Sequence, residues 1–304
     1  MNASVFFAFS RRLLLGVGFA SMLMGAATFA ETLDRLPEAS DAQMRRFAVF
    51  FDFDGDSCYP SPAISTRVNG EVVINGGMSV TESDPSYVSG CREFKQLNNS
   101  NAYHRRTVIV KNGVTYSVRM YALYFMKDKS LPGLQTEVLG SAHRHDWEFA
   151  LVWTTNDKLT HAYVSQHSGG DLKHFSELQF DAWCPECVKV VYHKNGPSTH
   201  AMRFADKNEK AENHTKYWVK PPILDWWLMP SAIQSKLNGS KFGHADCSVC
   251  DARFPYAISE QTPSGYPSKD EWIEAAKMKP QLHDLSKRVV PNKPTFDNKT
   301  KVVH

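Results

Sequence analysis

This sequence has almost no net charge. Its 35 Lys and Arg stand against 32 Asp and Glu, a balance of +3, so it lacks the strong basic field on which nucleic-acid binding depends. Long apolar runs are just as scarce, and beyond residue 30 nothing nears the ~20 residues of a membrane-spanning helix. There is no internal repeat and no linker-like stretch. The His-Glu-x-x-His spacing of helical zinc proteases is absent, as is the Gly-x-Ser-x-Gly elbow of serine hydrolases. These absences argue against a nucleic-acid partner, a helical membrane protein and those two hydrolase types.

The first thirty residues read as an export leader. Arg11-Arg12 form a charged start, Leu13 to Met24 an apolar stretch, and Thr28-Phe29-Ala30 a small-residue cleavage signature. Cleavage is expected near Ala30, giving a secreted chain that starts near Glu31. Loss of two arginines and no acids takes the balance from +3 to +1. The remaining chain has ample length for a core. All six cysteines, Cys58, Cys91, Cys184, Cys187, Cys247 and Cys250, fall in the exported part. An oxidising compartment favours disulfides over the four-thiolate zinc site that two Cys-x-x-Cys pairs would otherwise suggest. Spacing does not choose among the three pairings of the last four.

Apolar, β-branched runs alternate with turn dipeptides through the middle of the chain: Asn69-Gly70, Asn112-Gly113, Asn156-Asp157 and Asn195-Gly196. Such dipeptides accept positive φ and close tight hairpins, so the expectation is a mainly β, single-domain antiparallel β-sandwich over residues 31–285 with a few peripheral helices. Two helices are predicted, one after Pro230 ending at Asn238-Gly239, the other capped by Ser268 with Glu271. Residues 286–304 are expected to form a poorly ordered tail.

The densest chemistry lies in Ala142-His143-Arg144-His145-Asp146-Trp147-Glu148. In an extended strand Asp146 and Glu148 share one face and Trp147 points to the other. His143 has the wrong parity to join the carboxylates unless the chain bends, and a bend is expected at Ser141-Ala142 after Gly140. Carboxylates with one imidazole suit Mg²⁺, Ca²⁺ or Mn²⁺ better than Zn²⁺. The plainer reading is a polar strand end in which Arg144 pairs with a carboxylate.

This heptapeptide resembles the Gly-His-Arg-His-Asp-Trp-Glu motif of the necrosis-inducing, Nep1-like protein family, with Ala142 at the glycine position. The likeness extends to Cys58-Tyr-Pro-Ser-Pro-Ala-Ile64, Gly90-Cys91-Arg92, Met120 to Asp128, and Leu224-Asp225-Trp226 through Phe242-Gly243-His244-Ala245. It implies a β-sandwich similar to actinoporins and fungal lectins, with one divalent cation, Mg²⁺ or Ca²⁺, held by Asp128, His143, Asp146 and Glu148. Asp128 is the least direct of these assignments, because its spacer to His143 is long. The implied partner is the glycosylated inositol-phosphoceramide headgroup of eudicot plasma membranes, which the protein permeabilises without enzymatic turnover, acting as a monomer in solution. Arg144, His145, Trp147 and His167 are expected to contact the headgroup or support the ligands. The resemblance also implies a Cys58–Cys91 disulfide. For Asp52, Asp54 and Asp56 it suggests a second calcium site, against which stands a reading as solvated aspartates. If the glycine position requires positive φ, Ala142 is strained and His143 displaced. Two other functions compete: a non-cytotoxic family member that binds headgroups without lysis, and a metal-dependent secreted hydrolase or lyase acting on plant polysaccharide.

Overall fold

The computed structural model describes residues 33–80, 86–130, 142–167, 169–196 and 199–280; the leader, Ser141 and the tail at 286–304 lie outside them. Turn chemistry sets the main sheet. β4 (Ala102–Lys111) and β5 (Val114–Lys129) are joined by Asn112 and Gly113, at φ 51° and 75°, the backbone a two-residue hairpin with native twist requires. β6 (Ala142–Thr155) meets β7 (Lys158–Gln166) through Asn156 and Asp157, at 49° and 60°. β2 (Ile64–Thr66) and β3 (Val72–Ile74) pair across Asn69-Gly70, and β10 (Cys184–Lys194) turns near Gly196 into β11 (His200–Phe204). All four turn signals in the sequence therefore close antiparallel hairpins.

With β8 (Gly169–His174) and β12 (Ile223–Asp225), these strands build a six-stranded sheet in the order β12-β4-β5-β6-β7-β8. The second sheet runs β1-β10-β11, where β1 is Phe50–Phe53, and β9 (Phe180–Asp181) also pairs with β10. Two pairings depart from the antiparallel expectation: β1 runs parallel to β10, and β12 parallel to β4. Both are edge strands delivered by long connections, so no hairpin turn dictates their direction.

Strand alternation divides the core. Phe125 of β5 stacks on Tyr192 of β10, ring centroids 3.9 Å apart, which marks the layer between the sheets. Its neighbour Tyr124 faces the other way, towards Trp147 and Phe242. That outer face is covered by α3 (Ser231–Asn238), α4 (Phe254–Glu260) and α5 (Lys269–Ala276). Arg105 fastens the cover: its guanidinium donates to Val249 O and Ala276 O and lies over the rings of Trp226, Trp227 and Phe254. α3 and α5 stand where their caps predicted. α1 (Ala42–Arg46), α2 (Phe94–Leu97) and α4 are each under two turns long or barely reach it, too short to carry a helical period in sequence.

The cysteines form three disulfides, Cys58–Cys91, Cys184–Cys187 and Cys247–Cys250. Each Cys-x-x-Cys thus closes on itself, which settles the pairing left open by spacing and leaves no thiolates for zinc.

Candidate metal centre

One end of the sandwich opens into a cleft of about 210 Å³. Its inner wall comes from the first half of β6, from Ser165 and His167 on β7 and its turn, and from Thr199 and His200 entering β11. Its outer wall is the segment carrying His244, Asp246, Ser248 and Arg253.

Asp128, His143 and Asp146 converge here, each offering a ligand atom within 4.8 Å of the others. Asp128 is buried and accepts two hydrogen bonds from His200, 2.7 Å from its backbone N and 2.6 Å from Nδ1. Burial alone would raise the Asp128 carboxyl. The bond from His200 and its charge, with His143 nearby, outweigh that and hold it below the usual range. Desolvation works against protonated His200, but Asp128 carries its imidazole above the ordinary value. The two form a buried pair in which each favours the charged form of the other. Asp146 Oδ1 accepts from Trp147 N and its Oδ2 from Tyr192 OH, both at 2.9 Å. Burial, then repulsion from Asp128, pushes the Asp146 carboxyl up to about 6.

Glu148 lies further along β6 and lines the same cleft, outside the group of three. Its Oε2 accepts from Ser165 Oγ, and burial together with Asp146 raises its carboxyl well above the usual value. Two carboxylates with oxygens within 4.8 Å repel by about 3 kcal/mol or more at an effective dielectric of 20. Protons relieve this at low pH and a divalent cation relieves it at neutral pH. Two carboxylates, a neighbouring third and an imidazole fit a hard, oxygen-preferring ion.

The bend expected at Ser141-Ala142 falls partly outside the described residues, but within them β6 carries one of its own. It is at His145, whose φ is 64°. Ala142 is a buried strand residue opposite Lys129 and is not among the described residues with positive φ, so alanine in place of glycine is unstrained there. The other expected supports separate. His167 stands at the cleft with Nδ1 3.4 Å from Thr199 Oγ1. Arg144 is exposed and reaches Gly76 O at 3.4 Å. Trp147 touches the cleft wall, but its ring is packed among Tyr103, Tyr124 and Phe242.

Asp52, Asp54 and Asp56 take three different partners. Asp52 is buried and accepts from the backbone N of Glu212 and Asn213 and from Asn213 Nδ2. Asp54 lies 3.6 Å from Arg203, with burial raising its carboxyl to about 6, and Asp56 lies 3.9 Å from His200 Nε2. They form no metal-type group among the described residues. Asp52 instead acts as a loop cap.

Sequence reasoning missed His200 and Tyr192. They orient the acidic groups across separations of 72 and 46 residues, and no local pattern links them to the heptapeptide. It also missed the outer wall that Cys247–Cys250 closes.

Comparison with known proteins agrees with this architecture. The family model for Necrosis inducing protein (NPP1) matches residues 41–261. NLP effector protein 2 of Phytophthora capsici is 26% identical over 213 residues, 68% of this chain and 74% of that protein. Necrosis-inducing protein NPP1 of Phytophthora nicotianae is 26% identical over 204 residues, 66% of this chain and 73% of that protein. Among solved structures, non-toxic HaNLP3 superposes with a TM-score of 0.59 at 23% identity, covering 77% of this chain and 99% of that one. NLPPya in complex with glucosamine gives 0.56 at 22%, covering 76% and 97%.

Proposed function

Because this chain belongs to the necrosis-inducing protein (NPP1) family, we propose that it is an exported, cation-dependent cytolysin that binds glycosylated inositol-phosphoceramide headgroups and permeabilises eudicot plasma membranes. The observation that carries this reading is the convergence of Asp128, His143 and Asp146 at the cleft, with Glu148 beside them. Those four would hold the ion, Mg²⁺ or Ca²⁺, whose chemistry is to accept oxygen donors such as sugar hydroxyls. Asp128 contributes a charge kept ionised by His200, and Asp146 an oxygen aimed by Tyr192. His167 and Arg253 border the cleft where a second sugar or an anionic group would lie. Glucosamine and mannosamine complexes exist for the structural relative NLPPya, which supports a saccharide ligand. The site holds a headgroup and carries out no turnover in this reading. No second ion is proposed at Asp52, Asp54 and Asp56.

A second reading, binding without lysis, is favoured by the likeness to non-toxic HaNLP3. Dye release from plant plasma-membrane vesicles separates the two. A cytolysin gives leakage that chelator abolishes and that Asp146→Ala lowers by about tenfold or more. Vesicle binding without leakage would establish the second reading. Release of sugar from the headgroup would instead reinstate a hydrolase.

A further inference from the structure

His143 and Asp146 are three positions apart, so regular alternation would send them to opposite faces of β6. They share the cleft although the strand contains no inserted residue. Lys127 pairs with Arg144 and Phe125 with Asp146, leaving Met126 and His145 opposite each other but outside the ladder. The count is equal on both strands, so this is not a bulge. On β6 the alternation is inverted at His145, at φ 64°, and β5 inverts with it, since Phe125 and Asp128 stand opposite Asp146 and His143.

Resting on the cation-site reading above, we propose that His145 is a positioning residue: its left-handed backbone turns β6 over so that His143 and Asp146 meet at one ion. Three groups hold it there. Tyr124 OH is 2.6 Å from His145 Nδ1. Phe242 meets the imidazole edge-on, centroids 5.5 Å apart. The loop after β3 fills the gap in the ladder, with Met78 N donating to Met126 O, the carbonyl of the residue opposite His145. That loop can lie so close because Gly77 has no side chain. A Cβ there would come within 2.7 Å of both Arg144 Cγ and the His145 ring, and Gly77 itself needs φ 67°. Gly243 presses from another side, where a Cβ would stand 3.3 Å from Arg144 O.

The same turn acts on the ligand directly. His145 O lies 2.6 Å from His143 Nδ1. A carbonyl only accepts, so His143 Nδ1 carries a proton, and in the neutral imidazole the lone pair is then on Nε2. The residue that inverts the strand thereby also sets the tautomer of the imidazole beside it. Glycine adopts positive φ freely and alanine does not, and this separates a backbone role from a packing role.

The experiment is Mg²⁺ titration calorimetry, with Ca²⁺ as a second probe, on the exported chain and on His145→Ala, His145→Gly and Gly77→Ala. His145→Ala and Gly77→Ala should weaken cation binding by about tenfold or more. His145→Gly should stay within about threefold of the unaltered protein, even though it too loses the Tyr124 bond. Equal losses in His145→Ala and His145→Gly, or full affinity in His145→Ala, would overturn the proposal. Imidazole ¹⁵N shifts of His143 in metal-free protein give a readout independent of the ion. The Nδ1-protonated form should persist with His145→Gly and be lost with His145→Ala; the reverse pattern would sink the idea. If the unaltered protein binds neither ion, the cation-site reading fails, and the nitrogen shifts alone decide the positioning role.

Discussion

Ala142 shows how a single residue can break a motif at no cost to the site. It lies within β6, buried and paired with Lys129, so the glycine it replaces supplies no needed conformation here. Ala142→Gly should lower stability by about 0.5–1 kcal/mol, the ordinary cost of glycine inside a strand, and leave Mg²⁺ affinity unchanged. Denaturant unfolding and calorimetry check both halves, and tighter ion binding in the variant would contradict the structure. Residue identity was legible elsewhere in the heptapeptide, since carboxylates and imidazole at this density are the donor types of a hard-cation site. Which of them converge was not legible, because alternation misplaces His143 until the φ of His145 is known. Asp52 gives the converse lesson. Its alternating pattern with Asp54 and Asp56 resembles a calcium loop, yet its oxygens are taken by Glu212 and Asn213, partners 160 residues away that no local spacing reveals.

At the level of elements, loop closure ranks the disulfides. Cys58–Cys91 spans 33 residues, while Cys184–Cys187 and Cys247–Cys250 span 3 each. Chain entropy assigns about 4 kcal/mol to the first and about 2 kcal/mol to each short loop. Replacing Cys58 and Cys91 by serine should therefore depress the unfolding midpoint about twice as far as replacing Cys247 and Cys250. The short link has a different consequence, since it closes the turn that brings Asp246, Ser248 and Arg253 to the outer wall of the cleft. Its double serine variant should weaken headgroup binding more than its modest stability loss suggests, measured by vesicle sedimentation beside Cys184→Ser/Cys187→Ser as a control. Hairpins were the elements easiest to read, because Asn-Gly and Asn-Asp turns specify their own backbone. The parallel edge strands β1 and β12 carry no such signal and are placed by what they pack against.

Across the whole molecule, the sandwich draws carboxylates from two strands into one buried end, where they oppose one another. Ion binding should therefore be coupled to folding. Cation at a hundred times its dissociation constant should stabilise the folded state by about 2.7 kcal/mol, seen as a rise in melting temperature that chelator reverses and Asp146→Ala abolishes. Identical melting with and without Mg²⁺, Ca²⁺ and chelator would rule out an ion at this site. The sequence by itself determined the β class, the hairpin boundaries, the two capped helices and the segment richest in acidic and imidazole groups. Those properties depend on side-chain period and turn chemistry, which act over a few residues. Only the tertiary structure decided that His200 pairs with Asp128, that each Cys-x-x-Cys closes on itself, and that a left-handed residue, His145, lies between His143 and Asp146. Contacts between residues far apart in the chain, and a single dihedral held by packing around it, leave no periodic trace to read.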